Sequence, residues 1–81
     1  MTHDEIFAKV TAIMREAFED GDLAPAPDAT ADDIDAWDSI NHVTLIVALE
    51  NEFAIRFEPE EITAPQNFGE LVALVESKLS R

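Results

Sequence analysis

Apolar residues recur at helical spacing in three stretches of this chain, and two connecting segments break the rhythm. Ile6, Phe7, Val10, Ile13, Met14, Ala17 and Phe18 fall three and four apart and predict a helix over residues 3–19. Thr2-x-x-Glu5 ahead of them reads as a capping box, in which each side chain satisfies an N–H group left free by the first turn. Asp4 and Glu5 also suit the positive end of the helix dipole. Asp20-Gly21 is the expected stop.

The second stretch predicts a helix over residues 39–53 with two apolar faces when wound at about 100° per residue. Leu45, Ile46, Leu49 and Phe53 share one side, with His42 at the upper end of that stripe. Ile40, Val43 and Val47 form a smaller stripe elsewhere. The larger residues assign the first stripe to the core. The second is either an exposed strip rimmed by Thr44, Glu50 and Asn51, or it is buried as well in a small bundle.

Beyond Phe53, Ile55 and Phe57 are apolar anchors in a short connection, and Glu58-Pro59-Glu60-Glu61 has the chemistry of a helix's first turn. This predicts a short helix that stops before Pro65. Asn67-x-x-Glu70 reads as a second capping box. It opens a last helix carrying Phe68, Leu71, Val72, Leu74, Val75 and Leu79, with Lys78 and Arg81 at the favourable C-terminal end. Residues 21–37 keep no period. Pro25 and Pro27 forbid helix there, Thr30 to Ile34 can form one capped turn, and Leu23, Ile34 and Trp37 can anchor the segment to the core. The expectation is an all-α fold, a small four-helix bundle of three longer helices and one short one. It spans residues 1–81 as one domain without repeats.

Composition narrows the function. With 81 residues the core is near the lower limit of self-sufficiency, and 47% apolar content excludes a disordered acidic tail. Eighteen acids against five Lys and Arg give a net charge of −13, which excludes nucleic acid as a partner. Between Arg15 and Arg56 there is no Lys or Arg and there are eleven acids, a field that steers toward basic partners. The chain has no cysteine, so no disulfide and no thiol of its own. Its polar, acidic start and the lack of a long apolar run lead to the expectation of a cytoplasmic protein without membrane insertion.

Candidate chemistry gathers at Asp38-Ser39, at the foot of the second helix. Unpaired N–H groups and the helix dipole favour an anion there, so a phosphate on the serine hydroxyl would be stabilised. The plainer explanation is that one of the two residues is the N-cap. Ser39 and His42 are three apart but lack an orienting third group, an oxyanion site and a G-x-S-x-G elbow, so the chain does not read as an enzyme. A calcium loop starting at Asp28 would need Gly and Glu where Asp33 and Ser39 stand. Two distant histidines, His3 and His42, make no metal site.

Taken together, Trp37-Asp38-Ser39-Ile40 and the downstream Val43-x-Leu45-Ile46-Val47-Ala48-Leu49-Glu50-x-Glu52-Phe53 resemble the acyl carrier proteins of the discrete, single-domain type. The resemblance runs nearly the full length and includes Ile55-x-Phe57. It implies that Ser39, with Asp38 beside it, is where a phosphopantetheinyl transferase attaches 4′-phosphopantetheine from coenzyme A. The arm's thiol would hold acyl groups as thioesters for partner enzymes of fatty-acid, lipid or polyketide-type biosynthesis. It further implies that Ile40, Val43, Thr44, Val47, Glu50 and Asn51 meet acyl-transferring and chain-extending enzymes with basic docking surfaces. Leu45, Ile46, Leu49, Phe53, Ile62 and Leu71 would surround the cargo of a monomeric carrier. Departures from the common fatty-acid pattern, Asp35-Ala36-Trp37 before the serine and Asn41, His42, Thr44 and Asn51 along the helix, point equally to a specialised carrier. The alternative is an acidic helical interaction module without a prosthetic group, presenting the Ile40/Val43/Val47 stripe to a partner helix.

Overall fold

The structure is a computed structural model that describes residues 1–80; Arg81, expected to help close the last helix, lies outside the described residues. Four helices follow in order: α1 (His3–Ala17), α2 (Ser39–Phe53), α3 (Pro59–Thr63) and α4 (Phe68–Leu79). Among the described residues there is no strand, and no helix is long and apolar enough to cross a membrane.

The termini of α1 follow from its sequence, with one difference. Thr2 Oγ1 accepts from the Glu5 N–H at 3.2 Å and Glu5 Oε1 accepts from the Thr2 N–H at 2.8 Å, closing the capping box. At the other end the helix stops at Ala17, two residues before the expected limit. The left-handed residue is Glu19, at φ 55°, and not Gly21. The Glu19 and Asp20 N–H groups return to the carbonyls of Glu16 and Arg15, a Schellman closure made without glycine. Arg15 Nε also donates to the Leu23 carbonyl, tying the start of the long loop to α1.

α1 packs against both α2 and α4. Val10 and Met14 of α1, Leu45 and Leu49 of α2, and Phe68, Leu71, Val72 and Val75 of α4 are fully buried. Phe7 meets Phe68 edge to face with ring centroids 5.2 Å apart. The long loop adds Ala29, Ile34 and Trp37 to this core, while Leu23 packs at its margin. Phe57 anchors the α2–α3 connection, and Ile55 is half-buried beside it.

The N-terminus of α4 is where the loop is held. The Phe68 N–H donates to the Ala29 carbonyl at 2.8 Å and the Gly69 N–H to the Pro27 carbonyl at 2.7 Å. A Cβ on residue 69 would lie 2.8 Å from the Pro27 oxygen, so only glycine allows the loop this close. Asn67 Oδ1 caps the Glu70 N–H at 2.8 Å. The Glu70 carboxylate completes no box with Asn67; it accepts from the Gln66 N–H at 2.9 Å, one residue earlier. The short helix α3 is gripped from α4: Lys78, its side chain only 8% exposed, pairs with Glu61 at 2.7 Å and lies over the Phe57 ring.

Candidate functional site

At the N-terminus of α2, Asp38 is the cap. Its backbone is extended, its Oδ1 accepts from the Asn41 N–H at 2.8 Å, and its carbonyl accepts from the His42 N–H at 2.8 Å. Ser39 is therefore the first helical residue. The two explanations of Asp-Ser separate cleanly, since the aspartate caps and the serine is released from that duty. Ser39 is exposed, and its hydroxyl has no hydrogen-bond partner among the described residues. The N–H groups of Ser39 and Ile40 likewise have no acceptor among them. An anion on Ser39 would meet two free donors and the positive end of a 15-residue helix.

Beside Ser39 lies a groove of about 400 Å³, lined by Ala31, Trp37, Asp38, Ser39, His42, Ile62, Thr63, Pro65 and Gln66. Its floor is organised by His42. The Trp37 Nε1–H donates to His42 Nδ1 at 2.9 Å, and His42 Nε2 lies 2.6 Å from the Ile62 carbonyl. An indole N–H can only donate and a carbonyl can only accept, so the two partners together fix the neutral Nε2–H tautomer. The Ile62 carbonyl belongs to the last turn of α3, whose carbonyls have no partners within so short a helix. His42 thus caps α3 from α2 and holds Trp37 at the same time.

The sequence-predicted docking residues divide by surroundings. Ile40, Val43 and Val47 are 78%, 55% and 48% exposed, so the second apolar stripe of α2 is a surface strip running away from Ser39. Thr44 and Asn51 border a separate groove of about 540 Å³ between α1 and α2, with Ile13, Ala17 and Ala48 at its base. Glu50 is turned toward the α2–α3 connection, where its Oε2 accepts from the Phe57 N–H at 2.9 Å. Of the residues expected around a cargo, Leu45, Ile46, Leu49, Phe53 and Leu71 are buried in the core. Only Ile62 borders the groove beside Ser39.

Sequence reasoning placed His42 on the core stripe but missed its double role. The available signal was a lone tryptophan five residues ahead, whose N–H needs an acceptor once the ring is buried. It also read Lys78 as a dipole partner and missed its reach to Glu61, because no pattern along the chain pairs α3 with α4.

No family model matches this chain. An acyl carrier protein of Petrotoga mobilis is 36% identical over 81 residues, spanning 99% of this chain and 94% of that protein. An acyl carrier protein of Thermotoga maritima is 29% identical over 78 residues, covering 96% of each. The solution NMR structure of a holo acyl carrier protein from Geobacter metallireducens superposes with a TM-score of 0.86 at 40% identity, covering 93% of this chain and 86% of that one.

Proposed function

We propose a function from one premise: this chain belongs to the acyl carrier protein family. It is a phosphopantetheine-dependent acyl carrier that interacts with biosynthetic enzymes, and the interaction module without a prosthetic group is not favoured. The finer reading is that residues 1–81 act as one monomeric carrier domain in the cytoplasm. Ser39 is its attachment residue, and a phosphopantetheinyl transferase is its first partner.

The observation that carries this reading is the exposed Ser39 hydroxyl at a helix N-terminus that Asp38 caps without engaging the serine. The residues present fit the group. The free Ser39 and Ile40 N–H groups suit a phosphodiester, and the adjoining groove offers Ile62 and Pro65 to apolar parts and Thr63 and Gln66 to amides. When bound, the group supplies the thiol that this cysteine-free chain lacks and on which an acyl chain is held as a thioester. Asp38 keeps the first turn of α2 formed, so the hydroxyl is presented on rigid backbone. Trp37 is held through its indole N–H by His42 and forms one wall of the groove.

Visiting enzymes would meet Ile40, Val43 and Val47, with Thr44 and Asn51 beside them and Glu50 at the far end. Exposed acids in the loop before Ser39, including Asp32 and Asp35, supply the attraction for basic docking surfaces. The acyl-transfer chemistry belongs to those enzymes, and the chain contributes presentation and recognition. Cargo and pathway, general fatty-acid or specialised, are set by which of them recognise this face. Incubation with coenzyme A, Mg²⁺ and a broad-specificity transferase should add one phosphopantetheine by intact mass, and Ser39→Ala should add none. A wild-type chain that stays unmodified would defeat the assignment.

A further inference from the structure

We infer that His42 is a lock between α2 and α3 that confines the cargo to the surface groove beside Ser39, so that short acyl groups are accommodated there and long alkyl chains are left unsheltered. The inference rests on the carrier reading above. The Trp37–His42–Ile62 bridge lies along a groove that begins at Ser39, and the fully buried residues Leu45, Leu49 and Leu71 are absent from its lining. His42 lines the groove and is bonded on one side to the Trp37 indole N–H and on the other to the Ile62 carbonyl. Both neighbours are themselves anchored. Trp37 is buried against the core, and α3 is tied to α4 by the Glu61–Lys78 pair.

For an alkyl chain to pass from the groove into the core, α3 must swing away from α2 and the His42–Ile62 bond must break, while the Trp37–His42 bond keeps the imidazole aimed at Ile62. That bond weighs against the open state by roughly fivefold. The groove itself is shallow and mixed in character, with Trp37, Ile62 and Pro65 beside Thr63 and Gln66. It suits a short acyl group whose far end stays wet. Leu45, Ile46, Leu49, Phe53 and Leu71 shelter cargo only once the lock is opened. His42 is thus a positioning residue for specificity, acting through Trp37 and Ile62.

The test loads the full chain with butanoyl, octanoyl or tetradecanoyl phosphopantetheine from the matching acyl-coenzyme A. Two quantities are read: the rate at which hydroxylamine cleaves the thioester, and the methyl NMR shifts of Leu45, Leu49 and Leu71 beside the single Trp37 indole N–H signal. In wild type the three cargoes should react at one rate. Cargo should move the Trp37 and Ile62 signals and leave the three leucines in place. In His42→Ala the tetradecanoyl thioester should become protected by up to about fivefold. Its chain should move the leucine signals, while the butanoyl thioester behaves as in wild type. His42→Gln, which keeps one of the two bonds, should fall between and serves where the alanine variant is unstable. A general loss of structure would instead affect all three cargoes alike. Protection of long cargo in wild type, or equal behaviour of wild type and the folded His42 variants, overturns the lock. Failure to load any cargo overturns the carrier reading and leaves a different signature, an unchanged mass.

Discussion

The N-termini of α2 and α4 are built from the same local parts and finished in opposite ways. Each has an extended cap residue, Asp38 or Asn67, whose side chain accepts from the third helical N–H at 2.8 Å. Each cap carbonyl accepts the fourth N–H. At α4 the first two N–H groups are taken by the Ala29 and Pro27 carbonyls of the long loop, so all four donors are satisfied. At α2 the first two have no acceptor among the described residues. One end is closed by the chain's own backbone and becomes structure. The other is left open to solvent, beside a free hydroxyl and a groove, and is the proposed attachment site.

The comparison is broken most severely at the closed end. Gly69→Ala places a methyl group against the Pro27 oxygen and pushes the loop off α4. We expect a net loss of about 2 kcal/mol after the helix propensity gained by alanine, with Tm lower by about 10 °C in thermal unfolding. An unchanged Tm would show that the loop tolerates displacement and that the closure is not tight. The caps come next. Asp38→Ala and Asn67→Ala should each cost about 1 kcal/mol in denaturant unfolding. Only the first should also slow modification of Ser39, because only that end presents a reacting group. Equal effects of both variants on modification would dissolve the distinction.

A smaller effect concerns the field around the open end. Asp32 and Asp35 are exposed, whereas Asp33 accepts from the Thr30 backbone and hydroxyl, so the first two can be neutralised without disturbing the turn. Asp32→Asn with Asp35→Asn should slow association with the transferase a few-fold at low salt and have little effect once the Debye length shrinks to about 8 Å. Stopped-flow association across ionic strength would check this; rates insensitive to salt in both proteins would remove the steering argument. The smallest effect lies away from both ends, where His3 Nδ1 pairs with Glu76 across α1 and α4. The hydrogen bond to the Glu76 carboxylate, then its charge and that of Asp4, raise the His3 pKa above its ordinary 6.5. Because the folded value is the higher one, this tie contributes fully below pH 6.5 and fades as pH rises through the elevated value. An NMR titration of the His3 ring should show the raised midpoint, and Glu76→Gln should lower it. Coincident curves would show that the contact is not populated in solution.

The contrast between the two ends also marks what the sequence could reveal. Both caps were legible, because Asp38 and Asn67 precede apolar runs at the spacing that capping demands. The four helices, the buried stripe of α2 and the place of Ser39 were legible for the same reason: each depends on neighbours within a few residues. What closes α4 was not legible, because Pro27 and Ala29 lie some forty residues before the N–H groups they satisfy. Shorter separations, still beyond one element, hid Lys78 from Glu61 and His42 from Ile62. Even the end of α1 was misplaced, since Glu19 takes the left-handed conformation that Gly21 was expected to supply. Local chemistry thus singled out the candidate residue, and only the packing of the loop and α3 revealed why its surroundings are open and what bounds them.

The claim that unites these observations is that the open end of α2 is the attachment point. After transferase treatment, proteolysis and tandem mass spectrometry of the modified chain test it directly, because Ser77 and Ser80 offer competing hydroxyls at the end of α4. The account predicts that all of the added phosphopantetheine maps to the peptide containing Asp38 and Ser39, with Ser77 and Ser80 unmodified. Phosphopantetheine found on either C-terminal serine, or retained in Ser39→Ala, would contradict it.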